Sequence, residues 1–102
     1  MNLKKIIFIT LTTITVFIGV LSTSDNTHAS ELSAKRFIAR VESGSRYHAR
    51  NGIYIGKYQL SSYMLRGNYS AANQERTANR YVYSKYGSWT NAANHWKMYK
   101  SF

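Results

Sequence analysis

The stretch Ala34-Lys35-Arg36-Phe37-Ile38-Ala39-Arg40-Val41-Glu42-Ser43-Gly44 decides the fold, because it holds one apolar helical stripe and the residue that ends it. Ala34, Phe37, Ile38 and Val41 stand at i, i+3, i+4 and i+7, which places them on one helix face. Gly44 suits the position just past a helix end, where a left-handed backbone is needed. Ser33 carries the hydroxyl that an N-cap uses. The spacing therefore predicts a helix over Ala34–Glu42, preceded by a polar lead-in at Ser30–Ser33. Glu42 is the anomaly in this helix. A carboxylate in the last turn opposes the helix dipole, and this one lies beside the apolar stripe.

Downstream, Asn51-Gly52 is a strong hairpin turn signal. Tyr54, Ile55, Tyr58 and Leu60 around it give Ser45–Leu60 strand character. Ser61–Arg66 reads as a helical turn ending at Gly67. Ser70 is placed to cap a helix over Ala71–Tyr86, with Gly87 after its end. Ser88 then caps a last helix in which Trp89, Ala92, Ala93 and Trp96 recur at helical spacing. The expected class is mainly α (α+β), about four helices with a short β-hairpin or loop region. Tyr81, Trp89 and Trp96 are assigned to the core.

Upstream, Lys4 and Lys5 precede the apolar stretch Ile6–Leu21, and Thr27-His28-Ala29 offers the small residues of a cleavage site. This is the pattern of a secretory signal peptide over residues 1–29. The apolar stretch is interrupted by threonines and falls short of the ~20 apolar residues of a spanning helix, so no stable membrane anchor is expected. Residues 30–102 are then expected to be one small, secreted domain working outside the cytoplasmic membrane. A chain this short buries only about 60% of its unfolded surface. Nine tyrosines and two tryptophans supply the bulky side chains it needs.

Fourteen Lys and Arg face four Asp and Glu, for a formal charge of +10, and the chain has no Cys and no Pro. The absence of Cys excludes disulfides and thiolate chemistry. No Asp follows Asp25, which removes a Ser-His-Asp triad. His48 and His95 show no metal-ligand spacing, so neither a metal nor a cofactor is expected. The charge points to an anionic polymer as partner. Nucleic acid is not expected, because the basic residues are scattered and not gathered into an arm. A membrane-disrupting peptide would need a strongly amphipathic basic helix, which is absent.

Beyond residue 29 three carboxylates remain: Glu31, Glu42 and Glu75. Glu31 lies close to the expected new N-terminus, where mobility is the default. Glu75, in the early turns of a helix, suits the dipole. Only Glu42 lacks a structural task, unless it forms a solvated ion pair with Arg46, Arg50 or another of the many cations.

The string Glu42-Ser43-Gly44, continued by Ala49-Arg50-Asn51-Gly52-Ile53-Tyr54-Ile55-Gly56-Lys57-Tyr58-Gln59-Leu60, resembles the lysozyme-like domain of aggregation-promoting factors of Gram-positive bacteria. That family is similar in turn to lytic transglycosylases, goose-type lysozyme and resuscitation-promoting factors. The resemblance continues through Gly67–Arg76 and Tyr86-Gly87-Ser88-Trp89. It implies a small lysozyme-like fold and a muralytic enzyme cutting the N-acetylmuramate–N-acetylglucosamine bond, with Glu42 as the single catalytic acid and base. Tyr58 and Gln59 match the family's Tyr-Gln pair beside the acid. Gln59 would donate to a substrate acetamido or hydroxyl group, and Tyr58 would form a wall or donor; the alternative is a core Tyr58 and a turn-stabilising Gln59. Tyr54 would arrive from the hairpin, and Ser43 would bond the helix end near the acid. The implied partners are peptidoglycan glycan strands and teichoic acids, met by a monomer. The same resemblance also admits a non-catalytic, cationic wall-binding or aggregation-promoting protein. Two departures stand out. Ser45 replaces a second Gly after Glu-Ser-Gly, and the chain ends Trp96-Lys97-Met98-Tyr99-Lys100-Ser101-Phe102 in place of a Gly-Trp-Tyr-like tail.

Overall fold

The computed structural model describes residues 16–102 and is mainly α with a small antiparallel sheet. Helix α1 spans Val16–Ser43, α2 Ser62–Leu65, α3 Ala71–Lys85 and α4 Trp89–Tyr99. Strands β1 (Arg50–Asn51), β2 (Tyr54–Ile55) and β3 (Leu60–Ser61) form a sheet in the order β1-β2-β3. No helix among the described residues is long and apolar enough to cross a membrane. Lys4, Lys5 and most of the Ile6–Leu21 stretch lie outside the described residues.

The first helix is longer than its stripe predicts. Ser33 is an interior helical residue and not an N-cap, and Ser30–Ser33 is helical instead of a lead-in. No Gly or Pro lies between Val20 and Ser43, and Ser, Thr and Asn disfavour a helix interior only weakly. The expected cleavage point after Ala29 falls inside this helix. At its other end Gly44 turns left-handed (φ +68) and its N–H reaches the Arg40 carbonyl at 2.9 Å. The predicted helix end is thus in place.

Ser70 and Ser88 cap α3 and α4 as expected, their hydroxyls accepting from the N–H groups of Asn73 and Asn91. Gly87 follows α3 with φ +85. Glu31 is held at both oxygens. Its carboxylate accepts from the Trp89 N–H (2.8 Å), the Thr90 N–H (3.0 Å) and the Thr90 hydroxyl (2.6 Å). It therefore caps α4 jointly with Ser88, where a negative charge meets the positive end of the dipole. The expectation that Glu31 is mobile fails, because the helical run through residue 31 carries it to α4.

The hairpin also differs in detail. Asn51 pairs with Tyr54, so Gly52 and Ile53 are the two turn residues. Gly52 has φ +62 while Ile53 is not left-handed, the pattern of a type II′ turn with Gly first. Asn51 closes the strand and is not itself a turn residue.

The core gathers Ile38 and Ala39 of α1, Ala78 and Val82 of α3, and Trp89, Ala92 and Ala93 of α4 around Tyr58, Leu60 and Leu65. Tyr81 and Trp96 pack against it partly buried, and Phe37 meets Trp96 edge-on at 5.5 Å. The unusual tail is ordered onto this core. Lys100 ends α4 with φ +58, and Phe102 stacks on Trp89 and meets Tyr81 edge-on.

Gln74, buried to 1% exposure, is the residue the apolar pattern misses. Its carbonyl accepts from the Lys57 N–H (2.9 Å), and its amide donates to the Tyr47 and Tyr69 carbonyls (3.0 and 2.9 Å). The carboxamide passes so close to Gly56 that any β-carbon there would overlap it. Gly56 also has φ +86. Gly56→Ala should therefore cost about 2–4 kcal/mol, combining overpacking with a disfavoured backbone. A urea midpoint equal to wild type would show that Gln74 moves aside freely.

Candidate active site

Glu42 sits in the last turn of α1, half-buried, facing the side of α4 that carries Trp96. Among the described residues it forms no salt bridge. The two cations named from the sequence as its possible partners are engaged elsewhere: Arg46 Nε donates to the Ser43 carbonyl at 2.7 Å, and the Arg50 guanidinium lies over the Tyr69 ring. Burial raises the Glu42 pKa above the usual carboxylate range, and the indole of Trp96 opposes this only in part by bonding the charged form. An acid without a cation partner, in a chain of +10, holds its proton more tightly than a solvated carboxylate does.

Cations of the last turn of α1 and the C-terminal end of α4 rest on aromatic faces. Arg40 and Lys97 lie over Phe37 (5.5 and 5.0 Å), and Lys100 over Trp96 (5.2 Å). Trp96, the indole beside the acid, packs edge-on against Phe37 of α1. The sequence assigned Trp96 to the core alone; only the packing of α4 on α1 gives it this second contact.

Ser43 behaves as its position suggests. Its hydroxyl donates within bonding distance of the Ala39 carbonyl and the Lys57 carbonyl (2.7 Å) and accepts from the Arg46 N–H. It is a buried rivet between the end of α1 and the loop, with no free hydroxyl to offer a substrate.

Tyr58 is 2% exposed, and its hydroxyl donates to Glu75 at 2.9 Å. Gln59 is a turn residue with φ +53. Its amide donates to the Gly56 carbonyl (3.0 Å), and its carbonyl accepts from Asn51 (2.7 Å). The side-chain groups of Tyr58 and Gln59 that were expected to meet substrate are therefore occupied by the protein. Tyr54 is half-exposed at the hairpin and open to a ligand.

Glu75 is pinned. It accepts from Lys35 (2.8 Å), Lys57 (3.3 Å), Tyr47 (2.6 Å) and Tyr58. Burial disfavours its charge, but the bonds from Lys35, Tyr47 and Tyr58 outweigh that and lower its pKa to about 2. The Tyr58 hydroxyl is pushed up correspondingly, by burial first and by Glu75 second. Among the described residues no three His, Cys, Asp or Glu side chains gather as a metal site.

The turn that aims Glu42 is strained at one position. Ser45, where the resembled family has Gly, is left-handed with φ +64. A side chain there costs roughly 1–2 kcal/mol, partly offset by the lower entropy of the unfolded serine chain. Ser45→Gly is expected to raise stability by up to about 1 kcal/mol; a lower urea midpoint would refute the strain.

The two acids should also respond to pH in opposite directions. The Glu42 pKa is raised on folding, so stability falls as pH rises through it, and Glu42→Gln should raise the melting temperature at neutral pH. The Glu75 pKa is depressed, so its contribution is complete above the usual value of 4.5 and fades as pH falls toward about 2. Glu75→Gln should melt lower than wild type at neutral pH and lose this acid limb. Melting curves from pH 2 to 8 that shift both variants the same way would contradict the assignment.

Compared with known proteins, the chain matches no family model, no curated protein and no solved structure, so the geometry of Glu42 stands on this chain's own residues.

Proposed function

We propose that this protein is a secreted enzyme that cleaves the glycan backbone of peptidoglycan, with Glu42 as the single acid and base. The observation that carries the reading is an unpaired, half-buried carboxyl group beside Trp96, in a chain where cations outnumber acids. A general acid at neutral pH needs such a setting. The other two carboxylates of residues 30–102 are committed, Glu31 to the start of α4 and Glu75 to its four donors. A two-carboxylate glycosidase places its groups ~5–9.5 Å apart across the sugar, and no second free acid is left to play that part.

The chemistry that fits one acid is a lytic transglycosylation. The Glu42 proton passes to the glycosidic oxygen between N-acetylmuramate and N-acetylglucosamine as the C1–O bond breaks. The carboxylate so formed then takes the proton of the same sugar's 6-hydroxyl. That oxygen bonds to C1, giving a 1,6-anhydro end and restoring the acid, and no water is consumed.

The second reading is a non-catalytic, cationic wall-binding or aggregation-promoting protein. It is favoured by Tyr58 and Gln59, whose side chains serve the fold. Digestion of purified peptidoglycan separates the two. The enzyme releases fragments with 1,6-anhydro ends detectable by mass spectrometry, and Glu42→Gln lowers the release by at least about 10²-fold, as for loss of a general acid. Wild type and variant that bind walls equally and release nothing establish the binding protein instead.

A further inference from the structure

We propose that the groove between α2 and α3 is a binding site for a phosphodiester-linked polyol chain, gripped by Arg66 and Arg80. The groove is open to solvent and offers about 730 Å³, and its lining includes Tyr63, Met64, Arg66, Asn68, Arg80 and Ser84. No residue of α1 or α4 contributes to it, so it is separate from Glu42 and independent of the catalytic reading.

The groove is built before any ligand arrives. Asn73 of α3 donates to the Leu65 carbonyl (3.2 Å) and the Asn68 carbonyl (2.7 Å), fastening α2 and the following loop onto α3. Arg66 ends α2 in a left-handed conformation with φ +51, its N–H bonded to the Ser62 carbonyl. Its Cα is thus fixed at the groove's edge although its side chain is exposed.

Charge selects the class of ligand. No acid lines the groove, and Glu31, Glu42 and Glu75 are all placed elsewhere. Among the described residues neither Arg66 nor Arg80 gives its guanidinium to a protein acceptor, whereas Arg76, one turn before Arg80, bonds Asn73. Both cations are arginines, whose planar forks match phosphate oxygens in pairs. Asn68 and Ser84 offer groups that bond hydroxyls. Single-stranded nucleic acid calls for a succession of aromatic platforms. Here Tyr63, 79% exposed, is the one ring standing open, since the Tyr81 ring packs between Tyr86 and Phe102. A polyol phosphate chain needs the charge and the hydroxyl partners without the platforms.

The test titrates the full chain with a synthetic poly(glycerol phosphate) oligomer by calorimetry at fixed ionic strength. Arg66→Gln/Arg80→Gln should weaken binding at least about tenfold, whereas Arg36→Gln/Lys97→Gln, which removes the same charge elsewhere, should weaken it less than about threefold. Arg66→Lys/Arg80→Lys, which keeps the charge and loses the forks, should fall between them. Unchanged melting temperatures are expected, because all four positions are exposed. Equal losses in the two Gln pairs, or no binding by wild type, overturn the proposal. So does an RNA oligonucleotide of equal phosphate number that binds as tightly through the same two arginines.

Discussion

The structure depends on two consecutive side chains of α3, Gln74 and Glu75, and on what they hold. The segment between α1 and α2 contains three strands of two residues each, far too short to be stable by themselves. Gln74 ties it at Tyr47 and Lys57 through a buried amide, and Glu75 ties it at Tyr47, Lys57 and Tyr58 through a carboxylate. Lys35 brings α1 into the same network. Buried polar networks are costly when half-satisfied and rigidifying when complete. Here both side chains are fully partnered, so the loop takes one shape.

That constraint explains how the few acids divide. With cations in large excess, a carboxylate finds positive partners easily, and Glu75 has two. Glu31 is matched to the N-terminal end of α4. Glu42 is the exception: among the described residues it forms no salt bridge. Two acids in environments that stabilise charge and one in an environment that opposes it is how proteins assign different roles to the same functional group. The left-handed Ser45, three residues on, is local backbone strain in the turn that follows this acid.

Helix ends were legible because capping is local chemistry. Ser70, Ser88, Gly44 and Gly87 act within a few residues of themselves, and each stands where the spacing put it. The start of α1 was not legible from Ser33, since a potential cap becomes an interior residue when nothing upstream breaks the helix. The roles of Tyr58, Gln59 and Glu31 were misjudged or left open for a different reason. Tyr58 is settled by Glu75, 17 positions on, and Glu31 by Trp89, 58 positions on, while Gln59 turns back onto the Gly56 carbonyl only because the loop gives it a left-handed backbone.

Sequence alone determined the mainly helical class, the unpaired look of Glu42 and the excess of positive charge, because periodicity, dipole position and composition need no knowledge of distant contacts. Tertiary structure decided which polar groups remain open to a ligand. Burial and hydrogen bonding depend on what the fold brings alongside, so Gln74 became a clamp, Tyr58 a core residue and Trp96 the indole that bonds a half-buried Glu42.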